Sequence, residues 1–417
     1  MGAEEQTSHI CLQPEYVGRF QCDGAACNSK CCKIWAVDID GPTYQKYCTI
    51  EPKTERKKIV SHIKFKKQMG KFLVEMEKNG SCPFLRDDGL CKIQKTWGAD
   101  WLSNTCTVYP RYMYTVGDML LRGLTLSCPV AARMALMPEE PMAFEQIAMD
   151  GAAWEETMRR CAGRLAKMGD ALLDVQYGAI SILQNRALSI DQRLIVLGFF
   201  LDQAGDMVEA GKPEQIEMLS AVYTADDFME KVPEMLRAIA FRPVAYVKSM
   251  FGLIEALYGK KATYHGLDDI LMQRVVRAFG IENGEVPVSE LVATYQRAFR
   301  PAQEEILGQY GHIFENYLVN EFFLNHYPQV LEGSFVQNYI LFVMTYKMME
   351  FMATTMTMTE KPKPDAKRLV ELNVHMVGLF DHSREFLEAI ARDTLKRQKN
   401  VVECMKNLLY AGEEFSG

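Results

Sequence analysis

Beyond Pro138, apolar residues recur at three- and four-residue steps almost to the end of the chain, a period that predicts helix after helix. One long helix, or two, fall within Ala143–Arg186. Ile190–Ala210 follows, with Gly211 as its stop. Further helices are expected over Asp226–Leu236, Val244–Tyr258, Asp268–Phe279, Ser289–Tyr327, Phe335–Met358 and Pro364–Tyr410. Pro301, Gly308 and Gly311 predict a break or kink in the Ser289–Tyr327 stretch, and the KPKP run at Lys361–Pro364 separates the last two helices. Met344, Met348, Met349 and Met352 fall at helical spacing and read as core. Before Pro138 the pattern thins. Thr54–Glu77 reads as a helix leading into a strand, and Tyr112–Val116, Gly117-Asp118 and Met119–Leu126 read as a β-hairpin. The PEEP run sets a boundary at Met137-Pro138, giving domains at 1–137 and 138–417. The expected fold is mainly α: an N-terminal cysteine-rich, metal-stapled domain with a small β-hairpin, then an all-helical domain that forms the substrate and cofactor cleft.

Composition adds two constraints. The chain has 417 residues, 48% hydrophobic and 24% charged, with a net charge of −7. That balance argues against nucleic-acid binding, which favours a basic face. The start MGAEEQTSHI has no secretory pattern and no myristoylation site. The apolar stretch YILFVMTYKMM is interrupted by Lys347 and Glu350, so no membrane insertion is expected. A cytoplasmic, monomeric protein is the resulting expectation. In a reducing compartment clustered cysteines point to metal or redox chemistry rather than disulfides. Ten of the twelve cysteines precede residue 130, with only Cys161 and Cys404 beyond.

Eight of them form the candidate metal site. FQCDGAACNSKCCKIW places Cys22, Cys27, Cys31 and Cys32, GSCPFLRDDGLCKIQ adds Cys82 and Cys91, NTCTVYPR adds Cys106, and LSCPVAAR adds Cys128. Thiolates are soft ligands suited to zinc, copper(I) and iron–sulfur clusters. Adjacent side chains diverge, so the Cys31-Cys32 doublet suggests two nearby centres, or one ligand and one packing thiol. Spacing alone leaves open two closed zinc sites, one four-iron cluster with spare cysteines, or a three-cysteine catalytic cluster with a bracing group.

The order C-x4-C-x3-CC, CPFL…GLC-x-IQ, C-x-x-YPR and LSCPVAAR resembles the flagellin lysine-N-methylase family (FliB), and its cysteine part is similar to the YkgJ-type zinc- or iron-chelating family. RLIVLGFFLD at 193–202, ENYLVNEFF at 315–323 and DHSREFLEAI at 381–390 extend the resemblance through the helical half. The resemblance implies methylation of lysines on flagellin or another protein, with S-adenosylmethionine as donor and a [4Fe-4S] cluster held by Cys22, Cys27, Cys31, Cys32, Cys82, Cys91, Cys106 and Cys128. The C-x3-C-x2-C signature of radical S-adenosylmethionine enzymes is not completed, because Ile34 stands three residues beyond Cys31.

Methyl transfer to an amine needs a neutral nitrogen, and a free lysine titrates near ~10.4, so a site must lower that value or supply a base. No Gly-x-Gly-x-x-Gly follows a strand, so the donor is expected outside a Rossmann-type site, at the seam between the two domains. Arg111 is a candidate for a cofactor carboxylate and Tyr109 for orienting an amine; the alternative for Arg111 is a structural ion pair. Asn316, Tyr317 and Asn320 share one helical face and either line the cleft or brace an interface. His382, read as mid-helix, is a candidate for proton transfer or a structural group. The run Lys53, Arg56, Lys57, Lys58, Lys64, Lys66, Lys67 and Lys71 is a solvated face or a guide for an acidic protein substrate. Three functions remain open at this level: a lysine methylase, a non-enzymatic zinc-binding or interaction protein, and an iron–sulfur redox protein.

Overall fold

The computed structural model describes residues 9–27, 30–33, 37–67, 69–158, 163–164, 171–237, 239–259, 269–282, 286–325, 327–328, 334–398 and 400–410. Its N-terminal third alternates short strands with short helices: β1 (His9–Pro14), α1 (Glu15–Gly18), β2 (Asp38–Ile39), α2 (Gly41–Tyr47), α3 (Lys53–Ser61), β3 (Ile63–Lys66), β4 (Lys71–Val74), α4 (Lys92–Trp97), α5 (Asn104–Val108), β5 (Arg111–Val116), β6 (Met119–Leu124) and α6 (Pro129–Leu136). Then come β7 (Phe144–Met149), α7 (Gly151–Met158) and β8 (Gly163–Arg164). The rest is helical: α8 (Ala171–Leu183), α9 (Ile190–Glu209), α10 (Ile216–Thr224), α11 (Asp226–Met229), α12 (Val232–Leu236), α13 (Pro243–Gly259), α14 (Asp269–Phe279), α15 (Val288–Thr294), α16 (Arg300–Leu324), α17 (Phe335–Thr359), α18 (Ala366–His382), α19 (Arg384–Gln398) and α20 (Val401–Leu408). The fold is mainly α with a small N-terminal sheet, as expected.

The hairpin forms where the pattern placed it, β5 against β6, turning at Gly117 with φ of 54°. It is the middle of a larger sheet of order β7-β1-β6-β5-β8. β1 runs parallel to β6, and β7 pairs antiparallel with β1 from His9↔Met149 to Pro14↔Phe144. The helix expected from Ala143 therefore begins as a strand. Phe144–Met149 is rich in helix formers, but pairing with all of β1 overrides that preference. Residues 159–162 and 165–170 of the same stretch, with Cys161, lie outside the described residues. The sheet also draws on chain from both sides of Met137-Pro138. A second sheet, β2-β4-β3, covers a small core of Val37, Ile39, Tyr47, Ile50, Ile59 and Phe84.

Other boundaries shift for local reasons. Asp226–Leu236 divides into α11 and α12, the latter carrying Pro233 in its first turn. Ser289–Tyr327 is interrupted twice, by a π-helical turn at Tyr295–Phe299 and by a kink at Tyr310 (φ −128°, ψ 24°) between Gly308 and Gly311. Pro364–Tyr410 becomes three helices. His382 ends α18 rather than sitting inside a helix, and Asn400 caps α20 by accepting from the Glu403 amide.

One core joins the main sheet to the helices. It runs from Tyr16, Leu121, Leu124 and Val130 to α17, which is buried on nearly every side, its four spaced methionines included. Lys347 and Glu350, which interrupt the apolar run in the sequence, pair with each other inside the protein, and Lys347 Nζ also lies 3.1 Å from Asp191 Oδ1. Among the described residues no helix is long and apolar enough to cross a membrane.

α9 and α17 approach closely at Gly198, where an added Cβ would stand 2.6 Å from Tyr339 Cζ. That ring is fully buried and its hydroxyl donates to Leu194 O at 2.9 Å, so it has no room to retreat. Alanine gains roughly 1 kcal/mol in helix propensity over glycine, whereas overpacking costs about 1–3 kcal/mol. Gly198→Ala is expected to lower stability on balance, and urea unfolding monitored by circular dichroism checks the sign.

Candidate functional site

Each candidate cysteine is delivered at the edge of a short element. Cys27 ends a 3₁₀ turn (Gly24–Cys27), and Cys31 and Cys32 close another (Lys30–Cys32). Cys91 and Cys128 occupy the N-cap positions of α4 and α6. Cys106 lies in α5, whose capping Ser103 hydroxyl accepts from the Cys106 amide at 3.3 Å. A repeated device serves four of the sulfurs, Cys31 through the amides of Cys31 and Cys32. The Phe84 and Leu85 amides donate to Cys82, those of Ile93 and Gln94 to Cys91, and those of Val130 and Ala131 to Cys128. Two backbone N–H groups aimed at one sulfur favour its anionic form.

The sulfurs share a neighbourhood. Cys31 and Cys32 Sγ are 3.9 Å apart, and their hydrogen bond lowers Cys31 and raises Cys32. Cys32 feels the charge of Cys82 and Cys91, Cys106 that of Cys91 and Cys31, and Cys128 that of Cys27 and Cys31. Cys32, Cys82 and Cys91 pack with the small core, Cys27 and Cys128 with the large one. Burial pushes Cys82 up to about 12 and Cys106 and Cys128 to about 11. In the present arrangement no three His, Cys, Asp or Glu side chains among the described residues stand ready to hold an ion. The donor set nevertheless fits a thiophilic centre: the sulfurs are gathered, unbridged and served by amide donors, and the buried Cys82 and Cys128 would stay protonated unless a cation compensated them. Cys22, exposed, accepts from the Gly24 amide at 3.4 Å and contributes charge near Arg111.

Arg111 opens β5 on the sulfur side. Its guanidinium lies 5.1 Å from the centre of the Phe20 ring, near Cys22 and Cys128, and burial and the Arg122 charge both lower its pKa. It has no carboxylate partner among the described residues. The Tyr109 hydroxyl reaches Ser127 Oγ at 3.4 Å, and burial and the neighbouring Cys128 push it upward. Both Asn side chains bond to the protein, although Asn316 Oδ1 is shut from solvent with no hydrogen-bond partner among the described residues. Asn316 Nδ2 donates to Pro138 O at 3.0 Å, Asn320 Nδ2 donates to Leu124 O at 3.3 Å, and Asn320 Oδ1 accepts from the Tyr16 hydroxyl at 2.6 Å. Tyr317 is buried. His382 is exposed. Of the basic run, Lys58 shares Glu55 with Lys92 of α4, and Lys71 pairs with Asp38, on an open surface.

Sequence reasoning missed a second polar group beside the thiols. Asp381 Oδ2 accepts from Thr125 Oγ1 at 3.2 Å, and Thr125 Oγ1 lies 3.0 Å from Ser127 Oγ, which continues to Tyr109. Water reaches Asp381, yet the surrounding protein raises its pKa to about 6. Tyr112, 38% exposed, and Arg384 lie near it. Solvent contact combined with that much enclosing protein marks the floor of a recess. Behind it, Glu321 is pushed up to about 8 by burial and by Asp381. Its Oε2 accepts from Asn325 at 2.8 Å, while its Oε1 is shut from solvent and has no hydrogen-bond partner among the described residues. The only sequence signal was that both carboxylates lie in the quoted ENYLVNEFF and DHSREFLEAI stretches. A pocket of about 730 Å³ opens elsewhere, between α9 and α16, but Arg186 and Arg193 on its wall are already paired with Glu315 at 2.8 and 2.7 Å.

The family model described as FliB lysine N-methylase C-terminal domain matches residues 177–410, more than half of the chain. A stretch of 137 residues is 35% identical to a lysine-N-methylase of Salmonella typhimurium, covering 32% of this chain and 34% of that protein. The match thus spans about a third of that relative's length. A stretch of 135 residues is 34% identical to the flagellar biosynthetic protein FliU of Salmonella muenchen, covering 32% of this chain and 80% of that protein. No solved structure matches.

Asn320→Ala removes both partners at the seam and leaves the buried Tyr16 hydroxyl dependent on Leu124 O at 3.4 Å. A loss of about 1–3 kcal/mol is expected, read from the shift of the urea unfolding midpoint.

Proposed function

The chain belongs to the FliB lysine N-methylase family, and from that membership we infer that it is a protein-lysine methylase whose reaction takes place at the seam between the thiol group and the helices. We propose S-adenosylmethionine as the methyl donor and flagellin, or another protein of the cell surface, as the substrate. The observation that carries the reading is the meeting, at one place, of amide-supported sulfurs with a water-open recess that offers a carboxylate.

Three of the sulfurs among Cys22, Cys27, Cys31, Cys32, Cys82, Cys91, Cys106 and Cys128 would hold a [4Fe-4S] cluster with one iron left to the donor, and the others would brace it. When bound, such a cluster would supply an open iron site able to hold the amino and carboxylate groups of a methionine moiety. The division of sulfurs between two cores supports a second, bracing role for Cys82 and Cys91, whichever metal they take, zinc included. Arg111, lacking a carboxylate partner among the described residues, is suited to a carboxylate of the donor. Tyr109, kept protonated by burial, can orient an amine by accepting from it or donating to it. Packing against the two cores shields Cys82 and Cys128 from water, while Cys22 and Cys106 stay open to it.

Incubation of the protein with flagellin and S-adenosylmethionine under reducing, anaerobic conditions is expected to add methyl-group mass increments to lysines, read by mass spectrometry. Unmodified flagellin would remove that substrate from consideration. The protein purified without oxygen is expected to show the broad visible absorption of an iron–sulfur cluster; a colourless protein holding zinc would favour the structural reading. Cys31→Ser and Cys32→Ser, made singly, are expected to separate the catalytic ligand from the bracing one by which of them abolishes methyl transfer.

A further inference from the structure

We propose that Asp381 is the group that receives the substrate's ε-ammonium and accepts its proton. The inference rests on the methylase reading and names the residue that makes the nucleophile. Four features of the structure lead to it. Asp381 is a carboxylate that water reaches at the floor of an otherwise enclosed recess. Thr125 Oγ1, 3.2 Å away, fixes one of its oxygens. The hydroxyl chain Thr125–Ser127–Tyr109 ties the recess to the backbone that carries Cys128, so the ammonium site and the thiol group are held by one rigid segment. The recess also matches a single positive charge. Glu321 lies near it, its Oε1 shut from solvent, and stays protonated through neutral pH, which leaves one carboxylate for one ammonium.

The groups facing Asp381 are Glu321 and Tyr317 on α16, Tyr109 and Tyr112 around the start of β5, Tyr327 beyond α16, and Arg384 opening α19. Burial pushes every one of these tyrosines upward, so they remain neutral. Arg384 lies 3.3 Å from Glu388 and 3.4 Å from Asn325 Oδ1, and its charge keeps Asp381 lower than burial alone would. The balance leaves Asp381 ionised at neutral pH and still basic enough to take a proton.

The step is balanced without a further reagent. The lysine ammonium gives one proton to the Asp381 carboxylate, forming a neutral amine and a carboxylic acid. The amine lone pair then forms the N–C bond as the C–S bond of the sulfonium donor breaks, and that bonding pair stays on sulfur. The product carries the positive charge as an N-methylammonium, and the Asp381 proton leaves to the water of the recess.

The test uses the full chain and Nα-acetyl-lysine amide as probe. Titration calorimetry is expected to show binding to the wild-type protein, weakened about tenfold or more in Asp381→Asn and partly restored in Asp381→Glu. Difference infrared spectra of the wild type are expected to show a carboxyl band titrating near about 6 that moves when the probe binds. With a protein substrate, Asp381→Asn is expected to lower kcat about 100-fold and to remove the acidic limb of the pH profile, activity rising as Asp381 loses its proton. Equal probe binding in Asp381→Asn, no probe binding by the wild type, or an unchanged acidic limb would overturn the proposal. Asp381-dependent probe binding in a protein that transfers no methyl group would instead uphold the ammonium site and defeat the methylase reading. Should Asp381→Asn misfold by circular dichroism, the wild-type infrared band decides alone.

Discussion

The Asn320 side chain is the fastening on which the site depends. With one amide group it donates to the Leu124 carbonyl at the end of β6 and accepts the Tyr16 hydroxyl. Thr125, Ser127 and Cys128 follow Leu124 directly. Successive residues of a strand face opposite sides, so a one-residue slip of β6 would turn its side chains to the wrong face. Fixing the last carbonyl of that strand to a long helix fixes the register, and with it the hydroxyl relay and the start of α6. Gly123 allows the approach: an added Cβ there would lie 2.7 Å from Leu324 Cδ1.

The helix that makes this contact is anchored at a second level. Glu315, almost fully buried, takes two arginines, one of them Arg193, which also donates to the Leu183 and Leu188 carbonyls. On α17, Lys347 is held between Asp191 and Glu350. Buried charges are costly unless paired and hydrogen-bonded. These pairs therefore contribute little net stability, but they penalise any arrangement in which α9, α16 and α17 fail to meet. The aromatic and methionine core supplies the stability, and the ion pairs restrict it to one packing.

Legibility followed sequence distance. The hairpin could be read because its strands are adjacent and end in Gly117, and the helices because their period persists over many turns. The cysteines were visible as a cluster, and three of those that accept pairs of backbone amides each begin a turn whose form, CPFL, CKIQ or CPVA, stands in the sequence motifs. β7 was not visible, since FEQIAM is a good helix sequence until β1 arrives from more than a hundred residues away. The Asn pair was correctly placed on one helical face, but which partner that face meets lies in the tertiary fold. The recess could not be read at all: Thr125 and Asp381 are 256 positions apart, and neither residue type is unusual where it stands.

The five-stranded sheet bears on how such a protein can be inherited. Its strands come from both sides of the proline-rich point that looks like a domain border, with β7 covering the whole length of β1. A recombination event at that point would separate paired strands and expose two edges ready for intermolecular pairing.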